Sequence, residues 1–322
     1  MSEDRSLLIV VPCLNEERHL PIILEQLLRE NRDALVVVAD GGSSDRSRSI
    51  VNALAAEDPR LILMDNPARI QSAGVNAAVE RFAGDRRWLL RVDAHCGYPP
   101  GFGQLLLDAA EAQQATSVVV PMDSRGTSCF QKAAAAAQNS RLGTGGSQHR
   151  HIGKAQYVDH GHHALMRIDL FRVVGGYRED MSHNEDGELD VRLAAAGGRI
   201  WIEPAAALVY WPRSSAIALW RQYRGYGSGR ARTMRLHRQR PKLRQAIPPL
   251  ILCAAIVALA SPFAPILGIP LLSWIVATLF IGAFVGIRSG GVCAMMAGVP
   301  AAIMHLAWGW GFLSAVVGRP GT

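Results

Sequence analysis

The sequence predicts an α/β domain built on a largely parallel sheet, followed by apolar helices that enter a membrane. Three observations predict it. Over the first 120 residues short apolar runs alternate with amphipathic stretches; each apolar run ends in a polar cluster; and residues 246–287 and 289–318 contain no Asp, Glu, Lys or Arg. Apolar strands alternating with helices are the pattern of a parallel sheet buried on both faces. Ligands of such sheets sit outside the carboxyl ends of the strands.

Taken in order, strands are expected at residues 7–11, 34–39, 61–64 and 88–92, separated by helices at 18–29, 44–56 and 71–82. Residues 123–163 are less regular, with a poly-Ala helix at 133–137, then Gly143, Gly145 and Gly146, then a His-rich patch. A helix at 169–174 runs into Gly175-Gly176-Tyr177, which reads as turn punctuation at least as well as a ligand contact. Residues 185–196 read as a helix and 200–210 as returning strands. Between residues 215 and 244, Trp220, Tyr223 and Tyr226 interleave with arginines, a composition suited to a helix lying at the membrane interface.

A net charge of +7 and a pI near 9.5 would by themselves suggest nucleic acid. The distribution argues against that partner. All 27 acidic residues lie at or before Glu203 together with 22 of the 34 basic ones, and the remaining twelve basic residues have no acidic residue among them. A spanning helix needs about 20 apolar residues. The first uncharged run is long enough for two spans, divided around Ser261, Pro262, Pro265 and Gly268, and the second for one tilted span. Three crossings are expected, although Pro248, Pro249 and Pro262 would also suit a re-entrant or interfacial first segment. No signal peptide is expected from an opening of Ser2-Glu3-Asp4-Arg5. Arg230, Arg232, Arg235, Arg238, Arg240, Lys242 and Arg244 precede the first run, and by the positive-inside rule hold that flank in the cytoplasm. They also attract anionic headgroups. Cys13, Cys96, Cys129, Cys253 and Cys293 are odd in number and form no C-x-x-C pair, so free thiols in a reducing compartment are expected.

Four polar clusters carry candidate chemistry. The first strand ends in Pro12-Cys13-Leu14-Asn15-Glu16-Glu17 and the second in Asp40-Gly41-Gly42-Ser43. Asp40 stands where a carboxylate accepts from a ribose or base, and Gly41 permits close backbone approach, though D-G-G-S is also an ordinary strand-to-helix turn. Asp93-Ala94-His95 follows the fourth strand. Two such side chains can share a divalent cation, or merely form a turn. In His183-Asn184-Glu185-Asp186-Gly187-Glu188, adjacent carboxylates either complement a helix dipole or supply a general base. His149, His151, His160, His162 and His163 lack zinc-site spacing; His162 or His163 near acceptor phosphates is the stronger reading.

The ordered set V-P-C-L-N-E-E, A-D-G-G-S-S-D, V-D-A-H and N-E-D-G-E-L, with a basic aromatic segment and apolar runs after it, resembles family 2 inverting glycosyltransferases, and within them the bacterial exopolysaccharide type. The match covers about residues 7–232 and is specific through order and spacing. It implies a GT-A fold, a Rossmann-like nucleotide-sugar sheet with a mixed-strand acceptor half. Pro12, Asn15, Glu16, Asp40 and Gly41 would line the nucleotide, Asp93 would bind donor and metal, and Asp186 beside Glu185 would be the base. His95 stands where the commonest metal motif has a second Asp, so Mg²⁺ or Mn²⁺ is expected without a choice between them. His162, Gln222, Arg224 and Arg230 are the acceptor and phosphate candidates. The Gln-x-x-Arg-Trp signature of processive synthases is replaced by Gln222-Tyr223-Arg224-Gly225-Tyr226, which implies one sugar per encounter.

The implied partners are UDP-glucose, a polyprenyl-linked saccharide and the cytoplasmic membrane. The implied division is a catalytic domain at 1–214, a basic amphipathic segment at 215–245 and about three transmembrane helices at 246–322. A polyprenyl-phosphate sugar synthase is the nearest rival, and a non-catalytic membrane scaffold binding sugar nucleotides the rival outside enzymes.

Overall fold

The computed structural model describes residues 6–260 and 265–318. The chain forms two compact units, one of Met1–Met122, Ile152–Met181 and Glu185–Tyr210, the other of Asp123–His151, Ser182–Asn184 and Trp211–Thr322.

The strands are β1 (Leu7–Cys13), β2 (Leu35–Asp40), β3 (Leu61–Asp65), β4 (Trp88–Arg91), β5 (Ser117–Val120), β6 (Met122–Ser124), β7 (Gln156–Tyr157), β8 (His162–Arg167), β9 (Ile200–Ile202) and β10 (Leu208–Tyr210). The helices are α1 (Leu20–Glu30), α2 (Ser47–Glu57), α3 (Gln71–Phe82), α4 (Phe102–Ala112), α5 (Cys129–Gln138), α6 (Arg141–Thr144), α7 (Ile168–Val173), α8 (Glu185–Ala195), α9 (Ala216–Leu236), α10 (Leu243–Ala260), α11 (Ile269–Arg288) and α12 (Gly298–Val317).

In the first unit the main sheet has eight strands in the order β3-β2-β1-β4-β8-β5-β9-β7. The pairs β3–β2, β2–β1 and β1–β4 are parallel, as their apolar sequences predict. The period of two along β1 sends Leu7, Ile9 and Val11 into one core and Leu8 and Val10 into the other. Residues of α1, α2 and α4 close the first core, and residues of α3, α7 and α8 close the second.

At the end of the stretch read as irregular begins β8, which lies antiparallel to both β4 and β5, while β5 and β9 pair in parallel. Six residues, two of them histidines, give too short an apolar pattern to reveal a strand, and the insertion depends on partners remote in sequence. Because β8 is antiparallel, it begins at the sheet edge where β1, β2 and β4 end. His162 is thereby delivered to the carboxyl ends of the parallel strands.

The second unit is helical. A capping box starts α5: the Ser128 hydroxyl accepts from the Gln131 amide, and the Gln131 side chain accepts from the Ser128 amide. The alanines after it are small enough for close packing, and Ala134, Ala136 and Ala137 share a core with Leu219, Tyr223, Ala301, Met304 and Ala307. Cys129 at the start of α5 and Cys293 ahead of α12 form a disulfide with Cα atoms 5.1 Å apart. The expectation of five free thiols is corrected: Cys13, Cys96 and Cys253 are free. Residues 164 positions apart give no local spacing from which to read such a pair.

Among the described residues, three helices are long and apolar enough to cross a membrane, within Leu243–Ala260, Ile269–Arg288 and Cys293–Val317. Of the residues expected to divide the first two, Ser261 and Pro262 lie outside the described residues, and Pro265–Gly268 is a short 3₁₀ turn. Pro248 and Pro249 lie inside α10.

Leu165, wholly buried in β8, tests how far the site depends on that strand. Leu165→Ala should lower the unfolding free energy by about 2–5 kcal/mol, read as a lower urea midpoint of the detergent-solubilised chain.

Candidate active site

The loops after β1 and β2 are tied into one rim. The Asn15 amide donates to Ser43 Oγ at 2.8 Å, the Ser44 amide to Asn15 Oδ1 at 2.8 Å, and the Glu16 amide to Ser47 Oγ at 2.8 Å. Asn15 has a left-handed φ of 57°, a conformation Asn tolerates better than most residues. Asp40, predicted to face a nucleotide, is a buried knot beneath this rim. It accepts from the Gly42 amide at 3.1 Å, from Ser43 Oγ at 2.5 Å and from Arg48 Nη1 at 2.7 Å. Burial opposes its ionisation, but these donors outweigh it and hold the carboxyl below its ordinary value. Gly41 is buried beside the Cys13 carbonyl, to which its amide donates at 2.8 Å. Pro12, Asn15 and Glu16 remain partly or fully accessible.

At the next strand end the organising group is Arg91, the last residue of β4, only 5% exposed. A buried guanidinium without partners is costly. Here Nη1 donates to Asp186 Oδ1 at 2.5 Å and to the Tyr177 hydroxyl at 3.2 Å, and Nε lies 3.5 Å from Asp93 Oδ1. The two predicted acidic motifs are thus brought together on one cation. His162 stands between their other oxygens, with Nε2 3.4 Å from Asp93 Oδ2 and Nδ1 3.8 Å from Asp186 Oδ2. His163, fully buried, lies 2.8 Å from Asp190 Oδ1 through Nε2, and 2.7 Å from the Tyr177 hydroxyl and 3.5 Å from Asp186 Oδ1 through Nδ1.

Tyr177 is fixed from behind. Asn76 accepts from its amide at 2.9 Å and donates to its carbonyl at 2.8 Å. The Gly175-Gly176 turn that precedes it has φ of 80° and 66°, and a Cβ on Gly176 would press on Asn76. The glycines therefore do more than mark a turn: they let the chain lie against Asn76 and aim the phenol at Arg91.

Burial opposes ionisation of Asp186, but Arg91, His163 and His162 outweigh it and keep its carboxyl below the usual value. Asp93 is likewise held far below the carboxylate range against its burial, chiefly by Arg91 and then by His162. Glu185 goes the other way: burial, and next the Asp186 charge, push it up to about 7 in spite of Arg91. For His163 burial favours the neutral ring, yet Asp190 and Asp186 prevail and raise its value.

The two residues of the expected metal pair have different protein partners. Asp93 Oδ1 accepts from Gln71 Nε2 at 2.9 Å, and His95 Nδ1 lies 2.9 Å from Glu16 Oε1. A carboxylate on one ring nitrogen is the usual support for a histidine that ligates through the other. Among the described residues, no group of three His, Cys, Asp or Glu side chains could hold a metal. One carboxylate and one imidazole are too few to hold an ion alone and fit one carried chiefly by phosphate oxygens and water.

Residues 8–175 match glycosyl transferase family 2. The chain belongs to that family. Succinoglycan biosynthesis protein ExoA of Rhizobium meliloti (strain 1021) is 46% identical over 309 residues, 95% of this chain and 94% of that one. Dolichyl-phosphate beta-glucosyltransferase ALG5A of Trichomonas vaginalis is 30% identical over 95 residues, 26% of this chain and 29% of that one. A mannosyltransferase from Pyrobaculum calidifontis, solved with GDP-Man and Mn²⁺, shares the fold at a TM-score of 0.58 and 17% identity, over 97% of this chain and 87% of that one. The sheet is accordingly of GT-A type and the protein a family 2 glycosyltransferase.

Within this glycosyltransferase the first unit gathers Asn15, Glu16, Asp40, Asp93, His95, His162, Glu185 and Asp186 at one sheet edge. Gln222, Arg224 and Arg230 belong to α9 in the second unit, where Gln222 Nε2 donates to the Tyr226 hydroxyl at 3.0 Å. Sequence reasoning gave no role to Arg91, Asn76 and Asp190, and read Tyr177 only as part of a turn or ligand contact. Two signals were present: an arginine inside an apolar strand demands counter-charges, and Asp186 and Asp190 are four apart on one helix, hence on one face.

Asp190→Asn should remove the main charge raising His163, so that ring deprotonates at lower pH. Asp186 then loses a neighbouring cation, its pKa rises, and the acid limb of the kcat/KM profile moves to higher pH. Arg91 and His162 also face Asp186 and are unchanged in this variant. Profiles of wild type and variant check the shift, and an unmoved limb would show that Asp186 does not feel His163.

Proposed function

We propose that the chain moves one sugar from a nucleotide-diphosphate donor, UDP-glucose first among the candidates, onto a polyprenyl-linked saccharide at the cytoplasmic face of the inner membrane. The observation that carries this reading is that one buried arginine, Arg91, holds both acidic motifs at the strand ends. The near full-length likeness to a protein named for succinoglycan biosynthesis supports exopolysaccharide or related surface-glycan assembly. The basic flank before α10 supports the cytoplasmic placement of residues 1–214, with 215–245 at the interface and 246–322 as the anchor.

In this mechanism Asp186 takes the proton of the acceptor hydroxyl as it attacks the anomeric carbon from the face opposite the diphosphate. Arg91 fixes Oδ1 and leaves Oδ2 for the acceptor. A single displacement inverts configuration, so an α-linked donor yields a β-linked product. Pro12, Asn15, Glu16 and Gly41 line the nucleotide, and Asp40 acts from below by holding their rim. Asp93 and His95 would hold Mg²⁺ or Mn²⁺, which when bound neutralises charge on the leaving diphosphate. His162 serves the acceptor side, while Arg224 and Arg230, with Gln222 beside them, meet lipid phosphate. The partial likeness to a dolichyl-phosphate glucosyltransferase favours a second reading, direct charging of a polyprenyl phosphate.

The test is release of nucleoside diphosphate by purified protein, across nucleotide sugars and with either a polyprenyl-diphosphate saccharide or a polyprenyl phosphate as acceptor. Release with the saccharide acceptor alone supports the first reading, and release with the bare phosphate the second. A chelator should abolish it; insensitivity would remove the ion. Asp186→Asn should still bind donor while transfer falls about 10²–10⁴-fold. An acid limb near pH 7 that vanishes in Glu185→Gln would move the base to Glu185.

A further inference from the structure

The third apolar helix is more enclosed by protein than the first two. Among their described residues α10 buries only Pro249 and Leu252, and α11 only Thr278, Gly282 and Gly286, as suits helices surrounded by lipid. In contrast, α12 buries Gly298, Pro300, Ala301, Met304, Ala307, Gly309 and Gly311. The apolar stretch Cys293–Val317 is 33% buried by protein, against 11% and 17% for the stretches of α10 and α11.

The path of α12 is set by what it touches. Gly298 meets Thr278 and Leu279, halfway along α11. His305 Nε2 lies 2.8 Å from the Leu142 carbonyl of α6. By its midpoint, Gly309 lies against the backbone of Pro248 and Pro249, in the opening turns of α10. Consecutive spans are antiparallel, so the start of α10 and the end of α11 share one membrane side. A crossing α12 would advance toward the far ends, Ala260 and Ile269. Instead it travels from the middle of α11 back to the side where α10 begins.

Its second half is bound to α9. A Cβ on Gly311 would strike the Arg224 carbonyl, and one on Gly227 the Trp308 carbonyl, so the two backbones touch. Arg235 donates to the carbonyls of Ala315 and Val316 at the end of α12. Along α9, Arg221, Arg224, Arg232 and Arg235 are exposed, and their spacing puts them on one face. No acidic residue lies on α9. If α12 crossed the bilayer, this arginine stripe would be carried into hydrocarbon, where such side chains are among the costliest to place. On α12, Val299, Trp310 and Val317 are exposed and recur at spacings that fall on one stripe.

We infer that the chain crosses the membrane twice, and that α12 and α9 form a paired platform seated in the interface on the side where α10 begins. The α12 stripe enters the acyl boundary and the α9 arginines meet anionic headgroups. The carboxyl terminus therefore lies on the same side as the amino terminus. This rests on the anchor formed by α10 and α11, not on the identity of donor or acceptor.

The experiment uses the full chain with a paired reporter, alkaline phosphatase or green fluorescent protein, at the amino terminus, at the carboxyl terminus, or inserted after residue 263. Expected is one side for both termini and the opposite side for the insertion. Opposite sides for the two termini would show that α12 crosses and overturn the inference. One side for all three would overturn it by removing the two-span anchor. Should a fusion fail to fold, Cys253→Ser with Gly318→Cys, just past the end of α12 and exposed, is labelled by an impermeant maleimide. Labelling only in inside-out vesicles, with the amino terminus cytoplasmic, supports the inference, and labelling only in spheroplasts overturns it.

Discussion

A guanidinium enclosed by protein must be neutralised where it lies, and in this chain that requirement organises the catalytic edge of the sheet. Arg91 ends β4 and cannot reach water, so the structure brings it Asp93 from the same strand end, Asp186 from the first turn of α8 and the Tyr177 hydroxyl from the turn after α7. Removing one partner of such a buried set commonly costs several kcal/mol, because the remaining charge is left unpaired. The constraint therefore fixes the geometry of the acids as well as their charge.

The same accounting explains how α8 treats its acidic residues. Asp186 is paired with Arg91, Glu188 with Arg192 one turn on, and Asp190 with His163. Among the described residues Glu185 has no ion pair within reach, and its carboxyl is accordingly pushed up to about 7 by burial and by the adjacent Asp186. Two neighbouring carboxyl groups with separated affinities for a proton are what acid–base chemistry at neutral pH requires. The difference arises from which member of the pair the arginine can reach, not from the residue types.

Much of this fold was readable in the sequence. The apolar runs at residues 7–11, 34–39, 61–64 and 88–92 and the helices between them are local patterns, and the structure places them within a few residues. The polar clusters that end those strands were readable for the same reason. What escaped was non-local: β8 inserted antiparallel between β4 and β5, the Cys129–Cys293 bridge, and the convergence of Asn76, Tyr177, His163 and Asp190 behind Arg91. Asp40 shows the converse. Its motif was legible, but only hydrogen bonds counted one by one reveal that its oxygens are satisfied within the turn.

The apolar helices show a related limit. Hydropathy records what a side chain prefers and is blind to what a helix lies against. Helices α11 and α12 are equally free of acidic residues, and both pass as spans on length and composition. Their partners separate them: in α11, Gly282 and Gly286 admit the backbone of residues 294–298. In α12, Gly309 and Gly311 admit the backbones of α10 and α9, and a helix so engaged must go where those partners go. Because α9 is arginine-rich, the destination of α12 is decided by charges it does not itself carry. The membrane and the active site thus obey one rule, that a cation fixes the position of whatever is packed against it.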